Sequence, residues 1–476
     1  MVFSSEIFLF LFLPNFLLIY YLAPMRWRSG VLLAGSYLFY AWWRIDFLGL
    51  LVLTTVWTWA LGRATRASLR TGNLRRAKTM TAIGVTGCLS VLGVFKYFNF
   101  FVDSFAGLLG TTPEAMGVHW QILLPIGISF YVFQSISYLV DTYRGDADED
   151  PSFIDFAAFI ALFPQLIAGP ILRYKDLADQ FRHREHSLDL FTAGMQRFFI
   201  GLAKKVLLAD AVAPLADLAF QNPDPTAPIA WVGALAYMLQ LYFDFSGYSD
   251  MAIGLGMMMG FRFIENFDTP YASRSITEFW KRWHISLSVW LRDYLYIPIG
   301  GNRKGAARTY VNLMVVMVLG GLWHGSAWTY VLWGAWHGGW LAAERWTGLA
   351  RATGTWALGR TLLIVLLGWV AFRAATLGDA VDMYAGMIGL NGFDIAQDIR
   401  FSITREMSAA LGLSILVAVL EPKLKKLSFT HFQPQSGGTM TVVNTLVPTL
   451  VVTAIAMLAI LRLAEQSVSP FLYFQF

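Results

Sequence analysis

The sequence predicts an all-α, polytopic integral membrane protein. Hydrophobic residues make up 56% of its 476 residues and charged residues only 14%, compared with roughly 25% charged residues in ordinary globular proteins. The mean hydropathy is +0.53, and the apolar residues form long blocks rather than the stripes of amphipathic helices. A soluble domain of this length could not cover its surface with so few charges, so the soluble classes are excluded.

The length of each apolar block identifies the individual segments, since a helix that spans a bilayer needs about 20 largely apolar residues. The clear candidates are 5–22, 46–62, 82–101, 121–140, 228–245, 247–264, 327–345 and 440–462. Weaker or interrupted candidates lie near 30–43, 153–170, 188–211, 309–323, 359–372 and 408–420. We therefore expect about 11–13 membrane segments.

Glycine and proline interrupt several of these segments, as in the sequence Leu124–Gly127. Such breaks are tolerated at membrane depth only where protein or a water-filled cavity satisfies the freed backbone groups. The sequence thus favours broken helices around a buried site over a simple bundle. Segment 153–170 contains Pro164 and Pro170 and lies between two loops expected on the same side, so we predict that it re-enters the membrane without crossing it.

The charges of the loops predict the orientation. Residues 63–78 carry six basic residues and no acidic one, and short loops of this kind lie on the cytoplasmic side of the membrane. This assignment places the N-terminus outside. Residues 272–308 carry seven basic and two acidic residues, so we expect them at or just below the cytoplasmic face. Residues 420–438 are expected to form a flexible loop.

Charge and cysteine content exclude further classes. The chain has 36 Lys and Arg and 31 Asp and Glu, but the positive charge is spread over short loops and does not indicate a nucleic-acid surface. Cys88 is the one cysteine, which excludes an intramolecular disulfide and a multi-cysteine metal site. We expect it to be an inert packing residue. No P-loop, dinucleotide fingerprint or His-Glu-x-x-His motif is present.

His324 is the first candidate for chemistry, because it ends the apolar run 309–323. An ionisable residue at membrane depth is a candidate functional residue, and an imidazole can take a proton from a hydroxyl near neutral pH. Glycines at 320, 321 and 325 are expected to leave space around the ring for a ligand. A structural histidine, hydrogen-bonded between helices, is the alternative that these observations leave open.

The other histidines have weaker signals. His284 lies in a cationic, tryptophan-rich segment, which as a helix would align Trp280, His284 and Ser288 along one stripe; that stripe could face a polar cavity or belong to an amphipathic surface helix. For His337, which has tryptophan neighbours, packing is favoured. Ordinary surface roles are expected for the four remaining histidines, His119, His183, His186 and His431.

Four acidic residues interrupt or follow apolar runs, namely Asp244, Asp250, Glu265 and Asp268. Carboxylates at membrane depth could mark a proton or ion path. We favour a structural role, in which they form ion pairs with the arginines of 272–308, because no ladder of acids continues through the other helices.

Two stretches give the chain a resemblance to a known family. Trp283–Tyr294 and Leu319–Gly325 closely resemble the membrane-bound O-acyltransferase (MBOAT) family, and the resemblance runs nearly end to end. It includes the sequences Met1–Ser5, Leu124–Phe133, Tyr242–Gly254, Gly300–Arg303 and Ser469–Phe476. The flanking motifs resemble those of the bacterial branch that acylates cell-surface polymers.

The resemblance implies one MBOAT transmembrane domain over residues 1–476, with N-terminal helices in 1–120, a catalytic core in 121–345 and C-terminal helices in 346–476. It implies an MBOAT fold in which re-entrant helices surround a central tunnel, where cytoplasmic and external funnels meet at His324. It further implies catalytic roles for His324, as general base, and for His284, which would orient the donor carbonyl or stabilise negative charge. The implied substrate-binding residues are Trp323, Trp283, Ser288, Asn302, Arg292 and Tyr248, and no metal is implied.

The same resemblance implies an acetyltransferase with no bound cofactor, which takes acetyl groups from a cytoplasmic donor, acetyl-CoA. The acetyl groups would cross the inner membrane to periplasmic acetyltransferases that modify mannuronate residues of alginate, so that the chain contacts the polymer only indirectly. Related alternatives are teichoic-acid D-alanylation and the O-acetylation of cellulose or peptidoglycan. A passive acyl-translocating channel is the alternative from a different class. Nucleic acid is not an expected partner.

Overall fold

The computed structural model describes residues 1–147, 150–426, 442–465 and 471–472. Within these ranges helix is the one regular secondary structure, which confirms the all-α prediction. The chain divides into two compact units. The first comprises Met1–His186 and Met259–Phe263, and the second comprises Ser187–Met258 and Ile264–Phe476. The predicted three-part division of the chain stays a prediction.

The first unit contains the N-terminal helices. They are α1 (Leu13–Leu22), α2 (Arg28–Ala41), α3 (Ile45–Arg70), α4 (Leu74–Leu92), α5 (Phe98–Leu108), α6 (Ile128–Arg144), α7 (Phe153–Ala161), α8 (Phe163–Leu166) and α9 (Tyr174–Arg182). Helices α3, α4 and α6 pack against one another, and α7 packs against α2 and α3. Helix α7 is too short to span a bilayer, which is compatible with the re-entrant turn expected for 153–170.

The second unit contains both candidate histidines. Its helices are α10 (Leu188–Ala203), α11 (Asp210–Phe220), α12 (Ala227–Met258), α13 (Ile276–Arg282), α14 (Ile285–Leu291), α15 (Gly305–His324), α16 (Trp328–Thr347), α17 (Gly354–Arg373), α18 (Leu377–Met387), α19 (Gln397–Ser402), α20 (Arg405–Lys426) and α21 (Val442–Glu465). Helix α12 packs against α10 and α11, and α16 packs against α15 and α17.

Five helical segments of the described chain are long and apolar enough to cross a membrane. They are Ile45–Arg70, Leu74–Leu108, Ala306–His324, Gly354–Arg373 and Arg405–Lys425. These segments support the assignment as a multi-pass membrane protein. The expected total of 11–13 membrane segments stays a prediction.

Helix α12 corrects one expectation. The segments 228–245 and 247–264 were expected to be two spans, but they form one helix of 32 residues that ends at Met258. Gly247 does not break this helix. Its missing side chain instead lets α10 approach, since a Cβ at Gly247 would lie 2.7 Å from the backbone oxygen of Gly201. Small residues at such positions allow two helix backbones to pack closely in a membrane.

Three boundaries also differ from the predicted ones. Helix α3 continues to Arg70 and α4 begins at Leu74, so most of the basic segment 63–78 is helical rather than a loop. The segment 121–140 becomes helical only from Ile128. Helix α20 extends to Lys426, so the first part of the predicted loop 420–438 is helical, and residues 427–438 lie outside the described part of the chain. Hydropathy alone misplaced the ends of α3, α4 and α20, because a helix can continue beyond its apolar run. It also misplaced the start of α6, because an apolar residue need not be helical.

Candidate active site

His324 lies at the end of α15, where the chain turns into α16. Its side chain is buried, with 4% exposure. The ring packs edge-on against the rings of Trp333 and Phe372, with centroid distances of 5.2 and 5.4 Å. The prediction that this histidine is buried at the end of an apolar run therefore agrees with its position, and its aromatic surroundings restrict the access of water.

We expected the glycines near His324 to leave space for a ligand, but they do not. A Cβ at Gly321 would collide with the backbone oxygen of Tyr330, and a Cβ at Gly325 would collide with the Tyr330 ring. A Cβ at Gly320 would lie 3.3 Å from the side chain of Leu291. Gly321 and Gly325 thus permit the close packing of α15 and α16, and they fix His324 against α16.

His284 interrupts a helix instead of lying within one. Helix α13 ends at Arg282, α14 begins at Ile285, and His284 between them has a φ of 44°. This left-handed conformation is uncommon for a residue other than glycine. The expected stripe of Trp280, His284 and Ser288 on one helix is therefore wrong, and so is the alternative of a surface helix, since His284 is fully buried.

Asn266 holds the interrupted segment in place. Its backbone oxygen accepts a hydrogen bond from the Ile285 N–H at 2.9 Å. Its side-chain oxygen accepts from the Ser286 N–H at 3.3 Å and from the Ser286 hydroxyl at 2.8 Å, and it lies 3.1 Å from Nδ1 of His284. The Asn266 amide nitrogen donates to the Ser249 hydroxyl at 3.0 Å. One asparagine side chain therefore connects α12 to His284 and to the first turn of α14.

These hydrogen bonds determine which nitrogen of His284 carries the proton. A backbone N–H can only donate, so the atom of Asn266 that faces the Ser286 N–H is the oxygen. Because this same oxygen also contacts His284 Nδ1, Nδ1 is the protonated nitrogen and Nε2 carries a lone pair. His284 Nε2 is buried and has no hydrogen-bond partner among the described residues.

The charge state of His284 follows from its environment. The residue lies between α13 and α14, outside the membrane-spanning helices, and burial lowers its pKa to about 3. The ring is therefore neutral at physiological pH and presents Nε2 as an acceptor. The expected role of His284, to orient the donor carbonyl or to stabilise negative charge, stays a prediction.

The two histidines lie side by side in the second unit. Their ring centroids are 6.1 Å apart with an angle of 58° between the planes. Phe245 of α12 packs edge-on against His284 at 4.7 Å, and Trp323 lies 5.9 Å from His284 and 5.0 Å from His324. Two imidazoles in an aromatic enclosure form a site where a hydroxyl can lose a proton away from bulk water.

Of the expected substrate-binding residues, Trp323 is the one whose ring contacts both histidines. Trp283 is buried, and its ring centroid lies 4.9 Å from that of Trp369. Tyr248 is buried on α12 and stacks on Phe471 at 4.5 Å. Ser288 donates its backbone N–H to the backbone oxygen of His284. Substrate-binding roles for these four residues stay predictions.

Arg292 and Asn302 lie in a different environment from the buried histidine pair. Arg292 is exposed and forms an ion pair with Asp293 at 2.7 Å. Asn302 is exposed in the turn that precedes α15. Their contribution to substrate binding also stays a prediction.

Three residues of the site were not predicted from the sequence, namely Asn266, Trp333 and Phe372. Asn266 lies between the two carboxylates Glu265 and Asp268, which drew attention to charge rather than to the amide. The available signal was an uncharged polar residue shortly after the apolar run 247–264. Trp333 and Phe372 reach His324 from α16 and α17, and nothing in their local sequence indicates that contact.

The remaining histidines divide into three groups. His337 is fully buried against Trp333 and Trp280 at ring distances of 5.1 and 5.2 Å, as the packing interpretation expects. His119 and His183 are exposed, in agreement with surface roles. His186 is half-buried and contacts the Tyr20 hydroxyl, so its surface role stays a prediction. The prediction for His431 lies outside the described residues.

The four carboxylates form ion pairs, although not with the expected partners. Arg197 of α10 pairs with Asp250 at 2.9 Å and with Glu265 at 2.5 Å. Lys204 also pairs with Asp250 at 2.9 Å. Asp244 pairs with Lys205 and Asp268 with Lys425. The basic partners therefore come from α10, its continuation and α20 rather than from 272–308. Within the described ranges, no group of three or more His, Cys, Asp or Glu could hold a metal ion.

We expect Asn266→Ala to lower both the stability and the activity of the protein. The substitution removes the oxygen that the Ser286 N–H, the Ser286 hydroxyl and His284 Nδ1 share, and the loss of an acceptor for a buried group costs about 1–3 kcal/mol. Thermal unfolding in detergent and acetyl transfer measure the two effects. Asn222→Ala is the control, because the Asn222 side chain accepts a hydrogen bond from the nearby Asp224 N–H at an exposed site. Equal behaviour of the two variants would contradict the role of Asn266.

Comparison with known proteins identifies the family. The sequence profile of the membrane-bound O-acyltransferase family matches residues 141–365, a range that contains both histidines. The chain belongs to this family and is an O-acyltransferase. It is 50% identical to the probable alginate O-acetylase AlgI of Azotobacter vinelandii over 100% of both chains.

Two further relatives extend this comparison. The chain is 54% identical to the probable alginate O-acetylase AlgI of Pseudomonas aeruginosa, over 88% of this chain and 80% of that one. It is 34% identical to the peptidoglycan O-acetyltransferase of Helicobacter pylori, over 83% of this chain and 81% of that one. The identity is thus higher to the two alginate O-acetylases than to the peptidoglycan enzyme.

Proposed function

We propose that this protein passes acetyl groups from cytoplasmic acetyl-CoA across the inner membrane for the O-acetylation of alginate on mannuronate residues. The observation that carries the choice of polymer is the 50% identity to an alginate O-acetylase over the whole of both chains. The buried pair of His284 and His324 supports the chemistry, because acetyl transfer to a hydroxyl requires a proton acceptor at the reacting oxygen.

The geometry of the pair suggests how the proton moves. The acceptor hydroxyl lies beside His324, which takes its proton as the oxygen attacks the acetyl carbonyl and the thiolate of coenzyme A leaves. The proton later passes from His324 to that thiolate. The ring centroids of His284 and His324 are 6.1 Å apart, so the lone pair on His284 Nε2 acts on the protonated His324 ring through the dipole of the imidazole rather than through a direct hydrogen bond. Positive charge on His324 is thereby stabilised during transfer.

A cavity in the second unit supports an anionic donor. Its volume is about 840 Å³, and the basic residues that line it are Arg274, Arg282, Arg351 and Lys425. Arg282 pairs with Glu278 and Lys425 with Asp268, whereas the guanidinium groups of Arg274 and Arg351 form no ion pair with a carboxylate of the described residues. The cavity therefore carries excess positive charge, which attracts the phosphates of acetyl-CoA.

We expect Arg351→Gln to raise the KM for acetyl-CoA about fivefold with little change in kcat, because one exposed charge contributes up to about 1 kcal/mol. Steady-state kinetics with purified protein at low and high salt measures the effect, which salt should reduce. Arg345→Gln is the control, since Arg345 is an exposed arginine of α16 that does not line the cavity. An unchanged KM in Arg351→Gln would argue against this cavity as the entrance for the donor.

The proposed partners are the periplasmic acetyltransferases of the alginate machinery, with the N-terminus of this chain on the periplasmic side. The basic segment 63–78 supports this orientation.

Deletion of the gene should abolish acetylation of secreted alginate while polymer secretion continues. Unchanged acetyl content in the deletion strain, with altered acetylation of peptidoglycan or another polymer, would overturn the assignment to alginate and leave the acyltransferase chemistry intact.

A further inference from the structure

We infer that the first unit binds one anionic phospholipid, with an acyl chain in the groove between α1 and α2 and the phosphate on Arg28 and His186. The two parts of this site adjoin each other at the end of α1. Each part is unexplained by the acyltransferase site, which lies in the second unit.

The groove is apolar and has a volume of about 380 Å³. The residues that line it are Met1, Ile7, Leu11, Phe12, Asn15, Phe16 and Ile19 on one side and Val31, Ala34, Gly35, Leu38 and Trp42 on the other. Asn15, its one polar side chain, donates to the Leu11 carbonyl. The walls of this groove are almost entirely apolar, so it suits a hydrocarbon chain.

The length of the groove matches one acyl chain. Val31 and Trp42 are 11 residues apart on α2, which corresponds to about 16 Å at about 1.5 Å per residue. This distance is about half of the roughly 30 Å hydrocarbon core of a bilayer, so the length of the groove suits an acyl chain within one leaflet. A partner helix that crosses the membrane would need a contact about twice as long.

A group of basic side chains lies where the groove ends. The guanidinium of Arg28 lies over the rings of Tyr20 and Tyr21 at 5.2 and 5.4 Å. Tyr20 follows Ile19 of the groove, and its ring stacks on Phe16 at 6.0 Å. The phosphate of a lipid whose chain fills the groove would therefore meet Arg28 at the level of the headgroups.

Two further basic residues surround the Tyr20 hydroxyl. His186 Nε2 lies 3.0 Å from that hydroxyl, and Arg184 donates to it at 3.3 Å and to the Ser29 hydroxyl at 2.7 Å. Arg184 is buried, whereas Arg28 and His186 are half-buried and can meet a ligand.

The charges of this group are not balanced by the protein. No carboxylate of the described residues lies within 4 Å of Arg28 or Arg184. Arg28 donates to the backbone oxygens of Ala23 and Tyr21, which carry only partial charge. Burial, followed by the charges of Arg28 and Arg184, lowers the pKa of His186. A bound phosphate would offset this local excess of positive charge.

Native mass spectrometry of the detergent-solubilised full-length protein tests the inference with dioleoyl-phosphatidylglycerol and dioleoyl-phosphatidylcholine as probes. We expect one phosphatidylglycerol to bind in preference to phosphatidylcholine. Arg28→Gln should lower its affinity about tenfold, because a charge-assisted hydrogen bond is lost. Arg26→Gln is the matched control, since Arg26 is an exposed arginine of the same turn. Equal affinities in the two variants would overturn the inference.

A second variant tests the groove independently of Arg28. Ala34 is exposed on α2 and lines the groove, so Ala34→Trp should block the acyl chain, leave the basic group unchanged and lower phosphatidylglycerol binding. Retained binding in Ala34→Trp would contradict the site. Millimolar inorganic phosphate should fail to displace the lipid, and displacement would indicate a site for a soluble phosphate compound instead.

Discussion

Replacing His324 by glutamine is expected to lower acetyl transfer by about 10²–10⁴-fold, the usual effect of removing a general base. Glutamine approximates the size of the ring and can form hydrogen bonds, but it cannot take a proton from a hydroxyl. His324 lies within the ring packing of Trp323, Trp333 and Phe372, so a side chain of similar size should preserve the fold. The acetyl content of alginate secreted by a complemented deletion strain measures the loss.

His183→Gln is the matched control, because His183 is an exposed histidine in a loop of the first unit. It should acetylate alginate at the level of the unmodified protein. Both variants should unfold at similar temperatures in detergent, which separates catalysis from folding. If His324→Gln retained normal acetylation, His324 would be a structural residue, and a passive acyl-translocating channel would become the better account.

Replacing His284 by glycine is expected to reduce kcat by about 10²–10³-fold, as is typical when one preorganised group that stabilises developing charge is removed. Glycine suits this position because the backbone of His284 has a φ of 44°, a conformation that glycine adopts without steric cost. The variant therefore removes the imidazole and its hydrogen bond to Asn266 without adding backbone strain. Kinetics with purified protein would give kcat and KM separately.

His284→Asn completes this test, because asparagine also tolerates the left-handed conformation. Both variants should lose kcat to a similar degree, and imidazole added to His284→Gly should restore part of the activity. His119→Gln, at an exposed position, controls for the loss of a histidine as such. Full activity in His284→Gly would show that the ring of His284 has no part in the reaction.

Hydropathy and ionisable residues in apolar runs predicted the features that depend on local composition. Helix α17 agrees with the segment expected near 359–372, because its 20 residues are Gly354–Arg373. The importance of His324 was also predictable, since a titratable group at membrane depth is rare and stands out from its apolar neighbours.

The features that were not predicted depend on contacts between distant residues. His284 could not be placed outside a helix, because its conformation is fixed by Asn266, 18 residues earlier in the chain. The segments 228–245 and 247–264 were expected to be two spans, whereas Gly247 lies within one helix and contacts Gly201 of α10. The partners of Asp250 come from α10 for the same reason. Local sequence carries no signal for which helix packs against which.

Transfer of labelled acetyl groups across a membrane tests the central claim most directly. The purified protein would be reconstituted in vesicles that enclose alginate and a periplasmic acetyltransferase of the alginate machinery, with radiolabelled acetyl-CoA outside. We predict label in the enclosed polymer with the unmodified protein and its loss with His324→Gln. Equal labelling of the polymer by both proteins would contradict the account, because the acetyl group would then cross without chemistry at His324.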